Sequence, residues 1–145
     1  MMRSGFTLLE MILATALLVV LFSLVIPVYN SFQTSSYLQT TTHDLVQSLR
    51  RAQTLAQAVS TDDNWGVRIE TNKIVVFKGS DYVSRNNAFD QVIDIASSVV
   101  RISGWQEIYF NKITGAPAVA GSVVFQGPDN NTSTITVNSK GLISY

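Results

Sequence analysis

One acidic residue, Glu10, lies within the most apolar stretch of the chain, and it has the clearest potential for chemistry. Residues 6–26 contain no other charged side chain. A carboxylate inside a membrane helix is costly, and it is functional by default and commonly paired. Because Glu10 would lie near the start of a helix, the helix dipole also favours its negative charge. We therefore expect Glu10 to pair with a cation at a neighbouring helix end; the alternative is a tolerated acid at the membrane surface.

The other polar residues predict neither a catalytic site nor a metal site. His43 is the single histidine and the chain has no cysteine, so neither a zinc site nor a histidine-based triad can be assembled. Residues 62–64 and 129–132 are rich in oxygen ligands, but they lack the EF-hand spacing and are typical of turns. Trp65 and Trp105 are predicted to cover the core or the sheet. The sequence thus predicts a protein that is not an enzyme and that binds no cofactor.

The chain is poor in charge, and its apolar residues are unevenly distributed. Charged residues make up 14% of its 145 residues and hydrophobic residues 46%, with ten basic and ten acidic side chains. An average soluble domain has about 25% charged residues. This composition argues against intrinsic disorder and against a basic protein that coats nucleic acid. Because the apolar excess precedes residue 27, we predict an apolar N-terminal segment followed by a more polar domain.

The apolar segment has the length and the flanks of a membrane anchor. As a helix, residues 6–26 span about 30 Å, enough to cross a bilayer. Arg3 and the terminal amine precede this run and are predicted to keep that end in the cytoplasm, so we expect the rest of the chain to be exported. The run is longer than that of a secretory signal, and no Ala-x-Ala cleavage site follows it. Pro27 comes next and is predicted to bend the helix without ending it.

The N-terminal residues also carry a family resemblance. The sequence Arg3-Ser-Gly-Phe-Thr-Leu-Leu-Glu10, followed by the apolar run and Pro27, resembles the type III signal of type IV pilins and type II secretion pseudopilins. The resemblance implies that a prepilin peptidase/methyltransferase cuts the bond between Gly5 and Phe6. Residues 1–5 would then be a cleaved leader, and Phe6 would be methylated at its new amine.

The same resemblance implies a role for Glu10 in assembly. In that family the corresponding glutamate pairs with the N-terminal amine of a neighbouring subunit. Cleavage removes Arg3 but leaves the apolar helix attached, so the mature chain would remain in membrane lipid until it assembles. Glu10 and the new amine would neutralise each other in an apolar filament core. Residues 6–27, including Pro27, would form the transmembrane and assembly helix.

A second apolar pattern continues this helix. Apolar residues recur at three- and four-residue steps over residues 38–59, which predicts an amphipathic helix; they are Leu38, Leu45, Leu49, Ala52, Ala56 and Val59, with Thr42 in the gap. One long helix from about residue 6 to residue 59 is therefore predicted, with residues 28–59 continuing into the domain. The alternative, an anchor followed by a separate coiled-coil stalk, has too few heptads.

Residues 60–145 change to the alternating pattern of β-strands. A turn cluster at residues 60–64 ends the helix, and seven or eight short strands follow. We predict an α+β fold in which an antiparallel sheet packs on the helix stripe. With the family resemblance, this arrangement implies the lollipop shape of a pilin.

Four later segments narrow the resemblance. Residues 44–56, 65–69, 108–115 and 135–143 are similar to the general-secretion-pathway-H/FimT group of minor pseudopilins. That group implies a subunit at or near the tip of a type II secretion pseudopilus or type IV pilus, which helps initiate assembly and protein secretion. The implied partners are other pilin or pseudopilin subunits and the inner-membrane assembly platform.

Two other functions fit the sequence less well. FimT-like minor pilins that bind DNA for natural competence carry basic residues near the C-terminus, whereas the last 30 residues here hold only Lys140, against Asp129. Because DNA binding depends on phosphate neutralisation, DNA is disfavoured as a partner. The third function is that of a single-pass protein with a periplasmic ligand-binding or enzymatic domain, and the N-terminal signal argues against it.

Overall fold

A computed structural model describes the backbone of residues 5–145 and the side chains of these residues except 24–35. One long helix, α1, spans Leu8–Gln57. The chain divides into two compact units, the first ending at Gln33 and the second comprising Thr34–Tyr145. Each unit is described by itself.

The described part of the first unit is a helix with apolar side chains on all sides. Residues 8–23 are rich in leucine, which favours the helix, and contain neither glycine nor proline. The described apolar side chains of this unit are exposed around the whole helix, among them Phe6, Leu8, Leu13 and Phe22. Within the part of the chain that the structure describes, no helix is both long and apolar enough to cross a membrane.

The second unit packs the rest of α1 against two antiparallel sheets. The first sheet has the strand order β3-β2-β1-β5, and the second has the order β4-β6-β7-β8. The strands are β1 (Trp65–Glu70), β2 (Lys73–Lys78), β3 (Gln91–Asp94), β4 (Val100–Gly104), β5 (Glu107–Phe110), β6 (Gly121–Gln126), β7 (Thr132–Val137) and β8 (Ile143–Ser144). The predicted α+β class is confirmed.

The predicted helix stripe forms the centre of the core. Its residues from Leu38 to Ala56 are buried together with the inner faces of both sheets, in one apolar cluster that includes Phe110, Phe125 and Ile135. The strands alternate as half-buried strands do; in β7, Ile135 and Val137 are buried while Thr134 and Thr136 are exposed. The stripe packs on sheets, so it is not a coiled-coil stalk.

The structure differs from the predicted stripe at its end and at its edges. The helix ends at Gln57, because the backbone enters the left-handed region at Val59 (φ 52°). Val59 is therefore exposed, and its placement in the core was wrong. Conversely, the polar residues Thr41 and Ser48 are buried. Side chains from both sheets share one core with this helix, and the buried face is wider than the stripe that the periodicity predicts.

Candidate functional site

The residues around the predicted cleavage bond lie just before the helix. Gly5 and Phe6 are exposed and non-helical, and α1 begins at Leu8. Thr7 caps the helix, because its hydroxyl oxygen accepts a hydrogen bond from the backbone N–H of Glu10 (3.3 Å) and its carbonyl accepts one from Met11 (3.2 Å). The preceding residues 1–4 of the predicted leader, including Arg3, lie outside the described residues.

Glu10 occupies the first turn of α1, as the sequence predicts. Thr7 and Glu10 have the Thr-x-x-Glu spacing of a capping box, which favours an acid at this position independently of any partner. Glu10 is exposed, and among the described residues it forms no ion pair. The side chain of Pro27 lies outside the described residues.

The hydroxyl groups of the apolar helix are satisfied within it. The Thr15 hydroxyl donates to the carbonyl of Met11 (2.9 Å), and the Ser23 hydroxyl donates to that of Val20 (2.7 Å). Such bonds to the preceding turn remove the cost of placing a hydroxyl in an apolar environment. Glu10 differs from them because it forms no ion pair with any described residue of the helix.

In the second unit, Gln53 joins α1 to two turns of the C-terminal half. Its side-chain amide donates to the carbonyl oxygens of Gly115 (3.0 Å) and Gly141 (3.1 Å). Both glycines have positive φ, 63° and 81°, and a Cβ atom at either would collide with a glutamine of α1. These contacts explain physically why the two segments that resemble the minor pseudopilin group, 108–115 and 135–143, contain glycine.

Replacing Gln53 with alanine should destabilise the domain by about 1–3 kcal/mol, because the backbone carbonyl oxygens of two buried glycines, Gly115 and Gly141, lose their hydrogen-bond donor. The measurement is the free energy of unfolding in urea, followed by tryptophan fluorescence. Gln47→Ala is the matched control: Gln47 is exposed on the same helix, and its replacement should change stability by less than about 0.5 kcal/mol. Equal effects of the two substitutions would show that Gln53 does not hold these turns.

The loop after β2 forms a network on the outer face of the first sheet that sequence reasoning missed. Tyr82 packs on Val75 and Phe77 in a small separate core. Two guanidinium groups lie over its ring, with Arg85 3.5 Å and Arg68 4.7 Å from the ring centroid. The only sequence signal was an aromatic residue close to Arg85 inside a polar loop.

Carboxylates complete this network. Arg85 pairs with Asp90 (2.9 Å), and Arg68 donates to Glu107 (2.8 Å). Burial is the main cause that raises the pKa of Tyr82, and a hydrogen bond with Glu70 raises it further. A hydrogen bond from Lys73 is the main cause that lowers the pKa of Glu70, and one from Tyr82 lowers it further. The charged groups of this face thus pair with one another, although Nε of Arg68 has no hydrogen-bond partner among the described residues.

We expect the stability of the domain to fall as the pH is lowered through the range in which the carboxyl group of Glu70 titrates. A folded-state pKa lowered from 4.5 means that Glu70 stabilises the fold above that pH, and the contribution is lost as pH falls through the folded value. Melting curves between about pH 5 and pH 3 measure it. Glu70→Gln should flatten the dependence, whereas Asp94→Asn, at an exposed acid, should not. An unchanged slope in Glu70→Gln would refute the assignment.

The remaining sequence candidates have structural roles. His43 is on the helix surface as predicted, with its ring edge-on to that of Tyr145 at 5.4 Å. Residues 62–64 contain the end of a short 3-10 helix and a bend, and residues 129–131 form the connection before β7, which begins at Thr132. Asp62 lies 3.1 Å from Lys112. In the described part of the chain, no three His, Cys, Asp or Glu side chains lie close enough together to hold a metal ion. Trp65 is buried in the core, and Trp105 is partly buried against it.

The comparisons with known proteins bear on the fold. No protein-family model and no curated protein matches the sequence. A solved structure does match: that of the minor pseudopilin EpsH from the Type 2 Secretion System of Vibrio cholerae, with a TM-score of 0.55 and 10% sequence identity. The match covers 74% of this chain and 94% of that chain. At this identity it establishes the fold alone: the chain has the fold of a minor pseudopilin.

Proposed function

We propose that this chain is a structural subunit of a type II secretion pseudopilus or type IV pilus, incorporated as a minor pseudopilin or pilin at or near the tip. It helps initiate assembly and protein secretion, and it performs no catalysis of its own. The fold likeness to a minor pseudopilin supports the general class. The observation that carries the proposal is an α1 start that is apolar all round except for Glu10.

In this proposal the exposed apolar helix is covered first by lipid and later by neighbouring subunits. An apolar surface of this extent is not stable in water, so lipid of the inner membrane covers it before assembly. Neighbouring subunits replace the lipid when the helix enters a filament. The chain is then a single-pass protein whose second unit is periplasmic or extracellular. An inner-membrane assembly platform and other pilin or pseudopilin subunits are its partners.

Processing converts the precursor into a subunit that can assemble. A prepilin peptidase/methyltransferase cuts between Gly5 and Phe6 and methylates Phe6. Exposure of both residues ahead of the Thr7 cap supports this step, because the peptide bond lies outside the hydrogen-bonded helix. Cleavage also removes Arg3 and creates a free amine near Glu10. That amine, on a neighbouring subunit, is the cation proposed to pair with Glu10.

Mass spectrometry of the chain extracted from a membrane fraction tests this proposal directly. The expected mass is that of a polypeptide that begins at N-methylated Phe6. The matched control is the same expression in cells without the peptidase, which should leave residues 1–5 attached. An intact Met1 in the presence of the peptidase, or cleavage near residue 27, would refute the pilin assignment.

Charge supports a protein partner over DNA. After removal of Arg3 the chain has nine basic and ten acidic residues. Five of the nine are already in ion pairs: Arg68, Lys73, Lys78, Arg85 and Lys112. Nucleic-acid binding needs several cations free to neutralise phosphates. The competence role therefore remains the less favoured alternative.

A further inference from the structure

A pocket opens where the turn between β1 and β2 meets the connection between β3 and β4. It has a volume of about 170 Å³ and takes lining residues from both sheets. Two backbone hydrogen bonds fix its walls: the N–H of Ile95 donates to the carbonyl of Asn72 (2.9 Å), and that of Ile69 donates to the carbonyl of Gln106 (2.9 Å). Pockets for drug-sized ligands measure about 300–1,000 Å³, so this one suits a small chemical group.

The pocket combines an apolar floor with a polar rim. Ile69, Val99 and Phe125 form the floor, since they line the pocket and belong to the buried core. Asn72 and Ser97 belong to the rim, where they are exposed and their side chains form no hydrogen bond among the described residues. A ligand that suits both parts has a polar group at one end and a short apolar stem at the other.

Arg101 brings a positive charge to the core-facing side of β4 and lines the pocket. It pairs in register with Phe125 of β6, whose side chain is fully buried. Residues directly opposite each other in an antiparallel pair have side chains on the same face, so the half-buried side chain of Arg101 is on the face that contacts the core. Of its five N–H donors, one on Nη1 bonds the carbonyl of Gly104 (3.0 Å). The others have no partner among the described residues.

No acidic side chain of residues 1–145 neutralises Arg101. All ten aspartates and glutamates lie within the described residues, and none of them forms an ion pair with Arg101. Glu70 lines the same pocket, but its carboxylate pairs with Lys73 (3.0 Å). Partial burial makes a charge without a counter-charge costly, so the pocket favours an anion.

The arrangement favours a carboxylate over a phosphate. A single guanidinium matches a single negative charge, and its planar fork can bond both oxygens of a carboxylate at once. The apolar floor adds a second contribution, because each CH₂ group buried there stabilises the complex by about 0.8 kcal/mol. Inorganic phosphate carries more charge than one guanidinium neutralises and has no stem for the floor.

We propose that this pocket binds a carboxylate group on a short apolar stem, carried either by a free acid or by a glutamate side chain of a partner polypeptide. Arg101 bonds the carboxylate, and the apolar floor contacts the stem. The inference goes beyond the assembly role, because it concerns the second unit alone and needs neither the cleavage at Gly5 nor the pairing of Glu10. Its failure would leave the assembly proposal intact.

Titration of the full chain in detergent micelles with butyrate tests the proposal. Nuclear magnetic resonance follows the Nε–H signal of Arg101 and the amide signals of residues 99–101, which we expect to shift in a saturable way. Butyramide has the same shape without the charge and should bind at least about tenfold more weakly. Acetate lacks two CH₂ groups of the stem and should bind at least about threefold more weakly.

A pair of variants assigns the binding to Arg101. Arg101→Gln removes the charge and should weaken butyrate binding by at least about tenfold. Arg50→Gln is the matched control, because Arg50 is an exposed cation of α1 that does not line the pocket; it should bind butyrate as the unaltered chain does. Urea unfolding shows whether both variants fold, and the comparison of butyrate with butyramide needs no variant at all.

A capped tripeptide with glutamate between two alanines distinguishes the two sources of the carboxylate. Binding at least as tight as that of butyrate, and lost when glutamine replaces the glutamate, would identify a partner polypeptide. Binding of butyrate without binding of the tripeptide would identify a free acid, because the pocket would then exclude a peptide backbone.

Three results would each overturn the proposal. They are equal affinity for butyrate and butyramide, undiminished butyrate binding by a folded Arg101→Gln variant, and binding of inorganic phosphate as tight as that of butyrate. An inward-facing charge on an edge strand also discourages pairing with other strands. Any of the three results would leave Arg101 with that role alone.

Discussion

Replacing Glu10 with glutamine should leave the chain in the membrane and abolish its entry into filaments. The substitution removes one negative charge and preserves the size and hydrogen-bonding capacity of the side chain. In the proposed filament, the N-terminal amine of a neighbour would then be buried without its counter-charge. Breaking a buried ion pair in this way costs about 3–5 kcal/mol, which lowers the assembly constant by at least about 100-fold per contact.

The measurement is the amount of this subunit in sheared or detergent-resistant filaments relative to the amount in the membrane. Thr15→Val is the matched control, because Thr15 is also a polar residue of the apolar helix but bonds only to the preceding turn. It should assemble as the unaltered chain does. Normal incorporation of Glu10→Gln would show that Glu10 serves only the helix start, where Thr7 caps α1.

Truncating Leu49 to alanine should have the largest effect on the stability of the second unit. Leu49 is fully buried at the centre of the cluster formed by α1 and both sheets. Removal of a buried leucine side chain leaves a cavity and costs about 2–5 kcal/mol, a large part of the roughly 5–15 kcal/mol that stabilises a domain. Such a change should reduce the amount of folded protein in the cell.

Chemical unfolding followed by the fluorescence of buried Trp65 measures this effect. Leu142→Ala is the matched control, since Leu142 is 68% exposed and loses little burial on truncation. Its free energy of unfolding should change by less than about 0.5 kcal/mol. A loss of under about 1 kcal/mol in Leu49→Ala would mean that the helix is not packed into the shared core of the two sheets as described.

Much of this fold is readable from the sequence because its signals are local. The spacing of Leu45, Leu49, Ala52 and Ala56 is a helical period, and these residues are buried. The strand alternation and the turns after residues 70 and 126 are equally local. The isolation of Glu10 among apolar residues is visible in the sequence alone. A helix that begins a few residues before Glu10 places this residue in its first turn, as the structure shows.

The arrangement of the strands depended on contacts between distant residues, which no local pattern encodes. β1 pairs with β5 across about forty positions, as Trp65 opposite Phe110 shows. That pairing, with the division into two sheets, brings Arg68 to Glu107 and to the ring of Tyr82. It also brings Gln53 to two glycine turns. The sequence by itself thus determined which segments are helix and which are strand, because those depend on neighbours in the chain. Only the tertiary structure decided which side chains meet across the two sheets, because strand pairing joins residues that are far apart in the chain.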